Sequence, residues 1–525
     1  MNFGSVTKAI HERAHFILGE IDPKLDIEKC TEVSKCLPRF DGVDKGRYWV
    51  WVAVTGCYPN KSEFNVFDSK AKTTNFESAV LFLVNYRKAN PIWMQLMSDV
   101  QFLNPHVKHL SDVTHTYSAP YVTGIQRVVR EIVNASSKKE MLTYRILGNL
   151  GLLEMCDLEK NVIRESTAKN NEHGNKSMGE KIVFWMENSL PFLQRYVLTQ
   201  ALYVLALPSA RHLKRRIQRN NLKNHLSKNQ NKYVNNIFIH NKTISILEFP
   251  ELNEQIQFYE LLLEENIVNV QIISYDFIPI FHSWSVHPGN RGQFNNYVRL
   301  ILLANKVVAI SELVRDQVLL ITKAFHLERK IWQSRIREVT YLSLPSGLTK
   351  IEGTAKVTKD PKLFVMLGSI EPRKNHLQFI DALEILFHRG VYVRARLLGT
   401  AGWNNEHILA RIAQVQNMGV DIELIHGDDA DVSHYIESAR ALLQISEGEG
   451  FGLPIVEAVS LGTDVIISDI KPLTDILSDT PLVVALGDSQ TLATLMEEMI
   501  HDPNISSGKN TKSASWANWA TELFG

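Results

Sequence analysis

Residues 446–462 read Ser-Glu-Gly-Glu-Gly-Phe-Gly-Leu-Pro-Ile-Val-Glu-Ala-Val-Ser-Leu-Gly, and this stretch limits the fold more than any other. The apolar run before it, Ala441 to Ile445, predicts a buried strand. Gly448, Gly450 and Gly452 follow, and Pro454 stands where a first helical position would fall. Ile455, Val456, Ala458, Val459 and Leu461 then line a short helix stopped by Gly462. Strand, glycine loop and helix start form the geometry in which bare backbone N–H groups close on an anion. Glu449 in the loop and Glu457 in the first helical turn cannot hold a phosphate. They can accept hydrogen bonds from sugar or ribose hydroxyls beside one. A plain turn between a core strand and a core helix, with Glu457 serving the helix dipole, is the competing account. The combination suggests a nucleotide-sugar site, and on the loop alone the plain turn stands beside it.

A chain of 525 residues is too long for one core and suits two or three domains. Lys+Arg and Asp+Glu each total 57, so nothing global calls for nucleic acid. The four cysteines (Cys30, Cys36, Cys57, Cys156) form no CxxC pair, and no His cluster stands at zinc spacing. That fits a reducing compartment and predicts no metal site. Lys8, His11, Glu12 and Arg13 break up the first residues, unlike a secretory signal. The most lipid-like run, Tyr196 to Ala210, falls short of the roughly 20 residues a spanning helix needs. The expected location is the cytoplasm, with peripheral contact at the inner face of the membrane as an option.

Residues 1–108 carry no legible chemistry and read as an accessory or oligomerisation region. Within them Tyr48–Val54 suits a buried strand or a short helix, and Phe76 to Met97 is apolar at helical spacing. A strand is expected near Asp112–Tyr117. Ile125, Val128, Val129, Ile132 and Val133 then repeat at the helical period, and Gly124 at the start of that helix lets backbone approach a ligand. Further strands are expected at Tyr144–Leu147, Ile182–Met186, Val268–Ser274, Ala304–Ile310 and Val339–Leu342. Residues 211–232 hold eight Lys and Arg side chains and no acid. They read as a solvated face, or as a patch for an anionic membrane surface or a lipid diphosphate. Asp276 follows the 268–274 strand, where doubly wound sheets place ligands; a buried aspartate capping its own turn is the equal alternative.

A linker at about 343–361 leads to strand Leu363–Leu367, then Gly368-Ser369-Ile370-Glu371-Pro372-Arg373-Lys374-Asn375 and a helix from near Asn375. Arg373 and Lys374 offer a guanidinium fork and an ammonium charge for a diphosphate. Strands Tyr392–Leu398, Ile422–Ile425 and Val465–Ser468 alternate with helices, giving an α/β class. Asp428, Asp429 and Asp431 read as a solvated turn and helix cap.

Glu449–Pro454, Glu457–Ala458 and Gly462–Thr463 resemble the donor signature of retaining glycosyltransferases of family 4. Thr123-Gly124-Ile125-Gln126-Arg127, Tyr275-Asp276-Phe277-Ile278-Pro279 and the Gly368–Asn375 stretch resemble its other motifs, over about 110–525. Two departures stand out: Tyr275 replaces a common His, and Ser369 replaces a common Arg. The resemblance implies a GT-B fold of two facing Rossmann-like domains with an extra N-terminal region. The expected division is 1–108, an acceptor-side domain at 109–345, a donor domain at 346–500, and a helix at 501–525 crossing back to the first domain. It also implies a retaining, metal-independent hexosyltransferase that needs no cofactor beyond its nucleotide-sugar substrate, with GDP-mannose as first guess. The acceptor would be a glycan or a lipid-linked glycan of surface polysaccharide such as O-antigen. Lys374, Arg373 and the Gly124 backbone would take the diphosphate, and Glu457 the ribose. Glu449 would grip the sugar with Gly450, Phe451, Gly452 and Leu453, and Asp276 joins Glu449 and Lys374 as a catalytic candidate. A nucleotide-sugar epimerase and a catalytically silent nucleotide-sugar-binding protein on the same scaffold are the alternatives.

Overall fold

The structure, a computed structural model, describes residues 3–24, 32–43, 45–74, 76–88, 97, 100–118, 124–136, 141–147, 151–156, 158, 234–250, 253–287, 291–328, 338–344, 357–427, 429–479, 481–507 and 509–525. The expected strand at Ile182–Met186, the basic stretch 211–232 and most of the linker lie outside these residues.

Fifteen described strands run β1 (Val100–Leu103), β2 (His109–Asp112), β3 (Met141–Ile146), β4 (Leu153–Met155), β5 (Val234–Ile237), β6 (Thr243–Ile246), β7 (Asn269–Ser274), β8 (Lys306–Ala309), β9 (Glu338–Tyr341), β10 (Leu363–Leu367), β11 (Arg394–Leu398), β12 (Asp421–Ile425), β13 (Ala441–Gln444), β14 (Asp464–Ser468) and β15 (Leu482–Val484). One sheet has the order β4-β3-β2-β6-β7-β8-β9, parallel except for the β3–β4 pair. A second has the order β12-β11-β10-β13-β14-β15 and is parallel throughout. Relative to its own first strand, this second sheet follows the 3-2-1-4-5-6 order of a Rossmann domain. β13 is buried at every position, because helices cover both faces of a parallel sheet. The α/β two-domain arrangement of a GT-B fold is therefore present.

Each sheet reverses direction of growth beside its first strand, between β2 and β6 and between β10 and β13. Loops leaving the carboxyl ends of such neighbours diverge to opposite faces and open a crevice. Both crevices matter below.

The expected strand at Asp112–Tyr117 is a correction. The chain is extended only to Asp112, and Thr114–Ser118 is helical. Asp112 Oδ1 accepts the Thr114 N–H at 2.9 Å, and the Thr114 hydroxyl at 2.5 Å, which turns the chain off the sheet. Such local side-chain bonds compete with ladder pairing. Of the two readings of Tyr48–Val54 the helix is correct: it lies within Gly46–Thr55, where every residue except Arg47 is buried.

The N-terminal region is built into the first domain. Its buried side chains share one continuous core with the seven-stranded sheet, and β1 pairs in parallel with β5. Buried Arg13 donates to the carbonyls of Ala53, Val54, Met97 and Val100 at 2.8–3.1 Å. Tyr58 donates its hydroxyl to the Ile237 carbonyl at 2.8 Å. Helix Trp516–Phe524 also lies on this domain, with Glu522 ion-paired to Lys306 at 2.6 Å and Gln271 donating to the Leu523 carbonyl at 2.5 Å.

Candidate active site at the interdomain cleft

The site grows from the two loops that leave β10 and β13. After β10, Gly368 turns the chain at φ +132°, and Pro372–Lys374 forms one tight turn. Asn375 then adopts φ +59°, a left-handed conformation Asn tolerates, before helix His376–His388. After β13, the glycine loop runs to helix Leu453–Ser460, with Pro454 in its first turn. The helix begins one residue earlier than expected, so Glu457 is its fifth residue, on the buried face, and is 1% exposed.

Glu449 joins the loops. Its Oε1 receives the Lys374 ammonium at 2.5 Å, the Ser446 hydroxyl at 2.7 Å and the Gln444 amide at 2.8 Å. Its Oε2 lies 3.0 Å from Arg373 Nη1. Arg373 also donates to the Gly448 carbonyl at 2.5 Å and pairs with Glu371 at 2.6 Å. Burial alone would raise the Glu449 carboxyl, but Lys374 and Arg373 outweigh it and hold it down at about 2. Burial likewise disfavours the Arg373 charge, yet Glu449, Glu371 and Asp276 together raise its affinity for the proton. The result is a fixed cluster of opposite charges at the switch point of the second sheet.

The first domain closes on this loop at several points. A Cβ on Gly450 would sit 2.3 Å from the Tyr275 carbonyl oxygen and 2.7 Å from the Asp276 Cβ, so only glycine permits the approach. A Cβ on Gly448 would meet the His282 ring at 2.5 Å. Ser311, just past β8, donates to the Gly450 carbonyl at 2.6 Å. Gly124 opens helix Gly124–Ala135 opposite Leu453.

Asp276 lies against Gly450 and accepts the Ile278 N–H at 3.0 Å, so it does cap its own turn. It also feels Arg373 and Lys374 across the cleft, although burial dominates and raises its carboxyl. Of the two readings of Asp276, the turn-capping one is seen directly. The Tyr275 side chain turns away from the loop: its hydroxyl is buried and donates to the Leu247 carbonyl at 2.6 Å.

Glu457 meets Arg127 of the first domain through a charged hydrogen bond, and Arg127 reaches on to Asp429 at 2.6 Å. Burial raises the Glu457 carboxyl to about 7 against the opposing pull of Arg127. Arg127, Ser311, Gln444 and Ser446 are site residues that the sequence reading left without a role. Arg127 sits on the polar side of an amphipathic helix, and nothing local distinguishes it from a solvated arginine. Asp429, read as a solvated cap, opens helix Asp429–Ser438 and in addition carries this cross-domain pair.

Among the described residues, no group of three or more His, Cys, Asp or Glu could hold a metal ion. Nor is any described helix long and apolar enough to cross a membrane.

Residues 349–515 match the family described as Glycosyl transferases group 1. The serotype-specific mannosyltransferase WbdA of Escherichia coli is 27% identical over 157 residues, 30% of this chain and 19% of that protein. O-antigen chain mannosyltransferase B of Escherichia coli is 28% identical over 168 residues, 30% of this chain and 43% of that protein. The chain therefore spans less than half the length of either relative. Among solved structures, Anabaena HepE in complex with UDP and glucose has a TM-score of 0.46 at 14% identity, covering 80% of this chain and 96% of that one. Sucrose-phosphate synthase from Thermosynechococcus elongatus has a TM-score of 0.43 at 13% identity, covering 79% and 94%. The structural scores are too low to bear on function, whereas the family match spans both β10 and β13 with their loops. Residues 349–515 are therefore similar to glycosyl transferases group 1, and that segment holds the crevice where Lys374, Arg373 and Glu449 meet.

Proposed function

We propose that the chain is a retaining, metal-independent hexosyltransferase acting from a nucleotide sugar, with GDP-mannose as the first donor to test. The acceptor is a glycan or lipid-linked glycan of a surface polysaccharide. The observation that carries this reading is the Lys374–Glu449–Arg373 cluster at the carboxyl ends of β10 and β13, with Asp276 facing it across the cleft. A diphosphate needs fixed cations, and a sugar needs a fixed carboxylate. Here both are fixed by the same ion pairs.

Arg373 and Lys374 bind the diphosphate, with the Gly124 backbone as a donor from the opposite domain. Glu457 binds the ribose hydroxyls. Glu449 and the backbone of Gly450, Phe451, Gly452 and Leu453 hold the transferred sugar. As the glycosyl–phosphate C–O bond breaks, its electrons pass to the departing phosphate oxygen. Positive groups aimed at that oxygen stabilise the charge as it forms. The acceptor hydroxyl attacks from the face the phosphate leaves, and its proton passes to a donor phosphate oxygen. Asp276 orients the acceptor hydroxyl from the first domain.

The test is turnover of GDP-mannose and a panel of other nucleotide sugars, with and without a glycan acceptor. Lys374→Ala and Glu457→Ala should each reduce transfer by about 10²-fold, the scale of losing one preorganised donor. Near wild-type transfer by both folded variants would remove the donor-site assignment. Conversion of the donor to its epimer without an acceptor would make the chain an epimerase.

A further inference from the structure

Arg127 brings a first-domain cation against a second-domain carboxylate. Its side chain is 16% exposed, and the Glu457 side chain it meets is 1% exposed. A guanidinium and a carboxylate this deep cannot part unless each finds a new partner, because an unpaired buried charge is costly. A nucleoside diphosphate supplies both partners at once. Its ribose diol offers two O–H donors to Glu457, and its phosphates offer the anion that Arg127 needs. Two further observations fit the exchange. Arg127 Nε is buried without a hydrogen-bond partner, so one edge of the fork remains to be used. Its second anchor, Asp429, is 60% exposed and holds it only weakly.

We propose that Arg127 is a donor-phosphate ligand held in reserve. Glu457 and Asp429 carry its charge in this structure, and a nucleoside diphosphate that takes Glu457 through its ribose draws the guanidinium onto its phosphates. The inference rests on the donor-site reading above. It adds that the first domain contributes a side-chain cation to the donor, and that donor binding replaces the cross-domain pair.

The experiment is calorimetric titration of the full chain with GDP, UDP and ADP, and with the 2′,3′-dideoxy form of whichever binds. Arg127→Ala should weaken binding of the hydroxyl-bearing diphosphate roughly 10- to 100-fold, the range for losing a charge-assisted hydrogen bond. Arg127→Lys should recover only part, because an ammonium cannot fork across two oxygens. Asp429→Asn should tighten binding a few-fold by releasing one anchor. The dideoxy ligand, which leaves Glu457 to Arg127, should be nearly indifferent to Arg127→Ala. Tighter binding by Arg127→Ala would make the residue a plug and overturn the proposal; unchanged binding would make it an inert clasp and overturn it equally. Should Arg127→Ala fail to fold, the sign for Asp429→Asn decides: tightening supports the proposal, and anything else overturns it. If none of the three diphosphates binds the wild-type chain, the donor-site reading itself falls.

Discussion

The switch points of the two sheets occupy the same topological position and carry opposite electrostatics. Between β10 and β13, a carboxylate sits against two cations and stays ionised. Between β2 and β6, Asp112 and Glu248 are buried together, with no cation paired to either among the described residues. Asp112 Oδ2 accepts from the Gln255 amide at 2.6 Å and from the Tyr259 hydroxyl. Glu248 accepts the backbone N–H groups of His115 and Thr116, and the Thr116 hydroxyl at 2.6 Å. Burial, and then Asp112, raise the Glu248 carboxyl to about 8; burial raises Asp112 as well. One crevice thus holds its carboxylate by ion pairs, and the other holds a backbone turn by hydrogen bonds. A common fold position fixes where chemistry can happen, and the local charges decide whether it does.

Glu449→Gln is the harshest way to break this contrast. It leaves Lys374 and Arg373 without their shared anion, and breaking a buried pair costs roughly 3–5 kcal/mol. Denaturant unfolding of the second domain reads that loss, and stability equal to wild type would show that the cluster contributes nothing.

The pH dependence should separate the two crevices. Glu449, depressed to about 2, contributes stability that is present above about pH 4.5 and lost as pH falls toward 2. Glu248, raised to about 8, contributes stability that is full below about pH 4.5 and lost as pH rises through 8. The effect is on the order of a few kcal/mol at most, since Asp112 shares the titration. Melting curves of the wild type and Glu248→Gln, whose amide mimics the neutral carboxyl, should lie close at pH 5 and separate by pH 9 as the wild type alone loses stability. A constant gap would contradict a raised Glu248.

Gly450→Ala tests the approach of the domains. Its new Cβ must push against the Tyr275 carbonyl, and overpacking of this kind costs about 1–3 kcal/mol. Scattering should show a wider cleft, and an unchanged radius with full transfer would mean the loop yields freely. Lys471→Ala should do least. Lys471 lies 3.9 Å from both Glu312 and Asp316 and is half exposed, and exposed pairs contribute about 0–1 kcal/mol.

The same contrast explains what the sequence disclosed. In the second domain, strand boundaries and the chemical loops coincide with local punctuation: Gly368, Pro372, Asn375 and Gly452 all stand at turns the backbone requires. β10 therefore begins and ends where its apolar run does. In the first domain the deciding partners are distant. Thr114, Thr116 and Tyr117 suit a strand by propensity, yet Glu248 takes the backbone N–H groups of His115 and Thr116 and fixes them as a helix. No local pattern shows an acid more than a hundred residues away. The pairing of Arg127 with Glu457 is equally non-local. Arg373, Lys374 and Glu449 are legible in the sequence as one donor group, together with Glu457, the glycine loop and Gly124, because each stands in a motif the family resemblance covers.

The pairing of β1 with β5 bears on the order in which the molecule is made. Val100 leaves the ribosome long before Val234, its neighbour in the sheet. At about 5–20 residues per second, the N-terminal helices must wait many seconds for the strand that completes them. Lys306 and Gln271 wait longer still, for Glu522 and Leu523. The second sheet, by contrast, is drawn from one uninterrupted stretch, 363–484. The first domain is therefore closed only after the second sheet is complete, and until β5 emerges its buried Trp49, Trp51 and Tyr58 are exposed to misassociation.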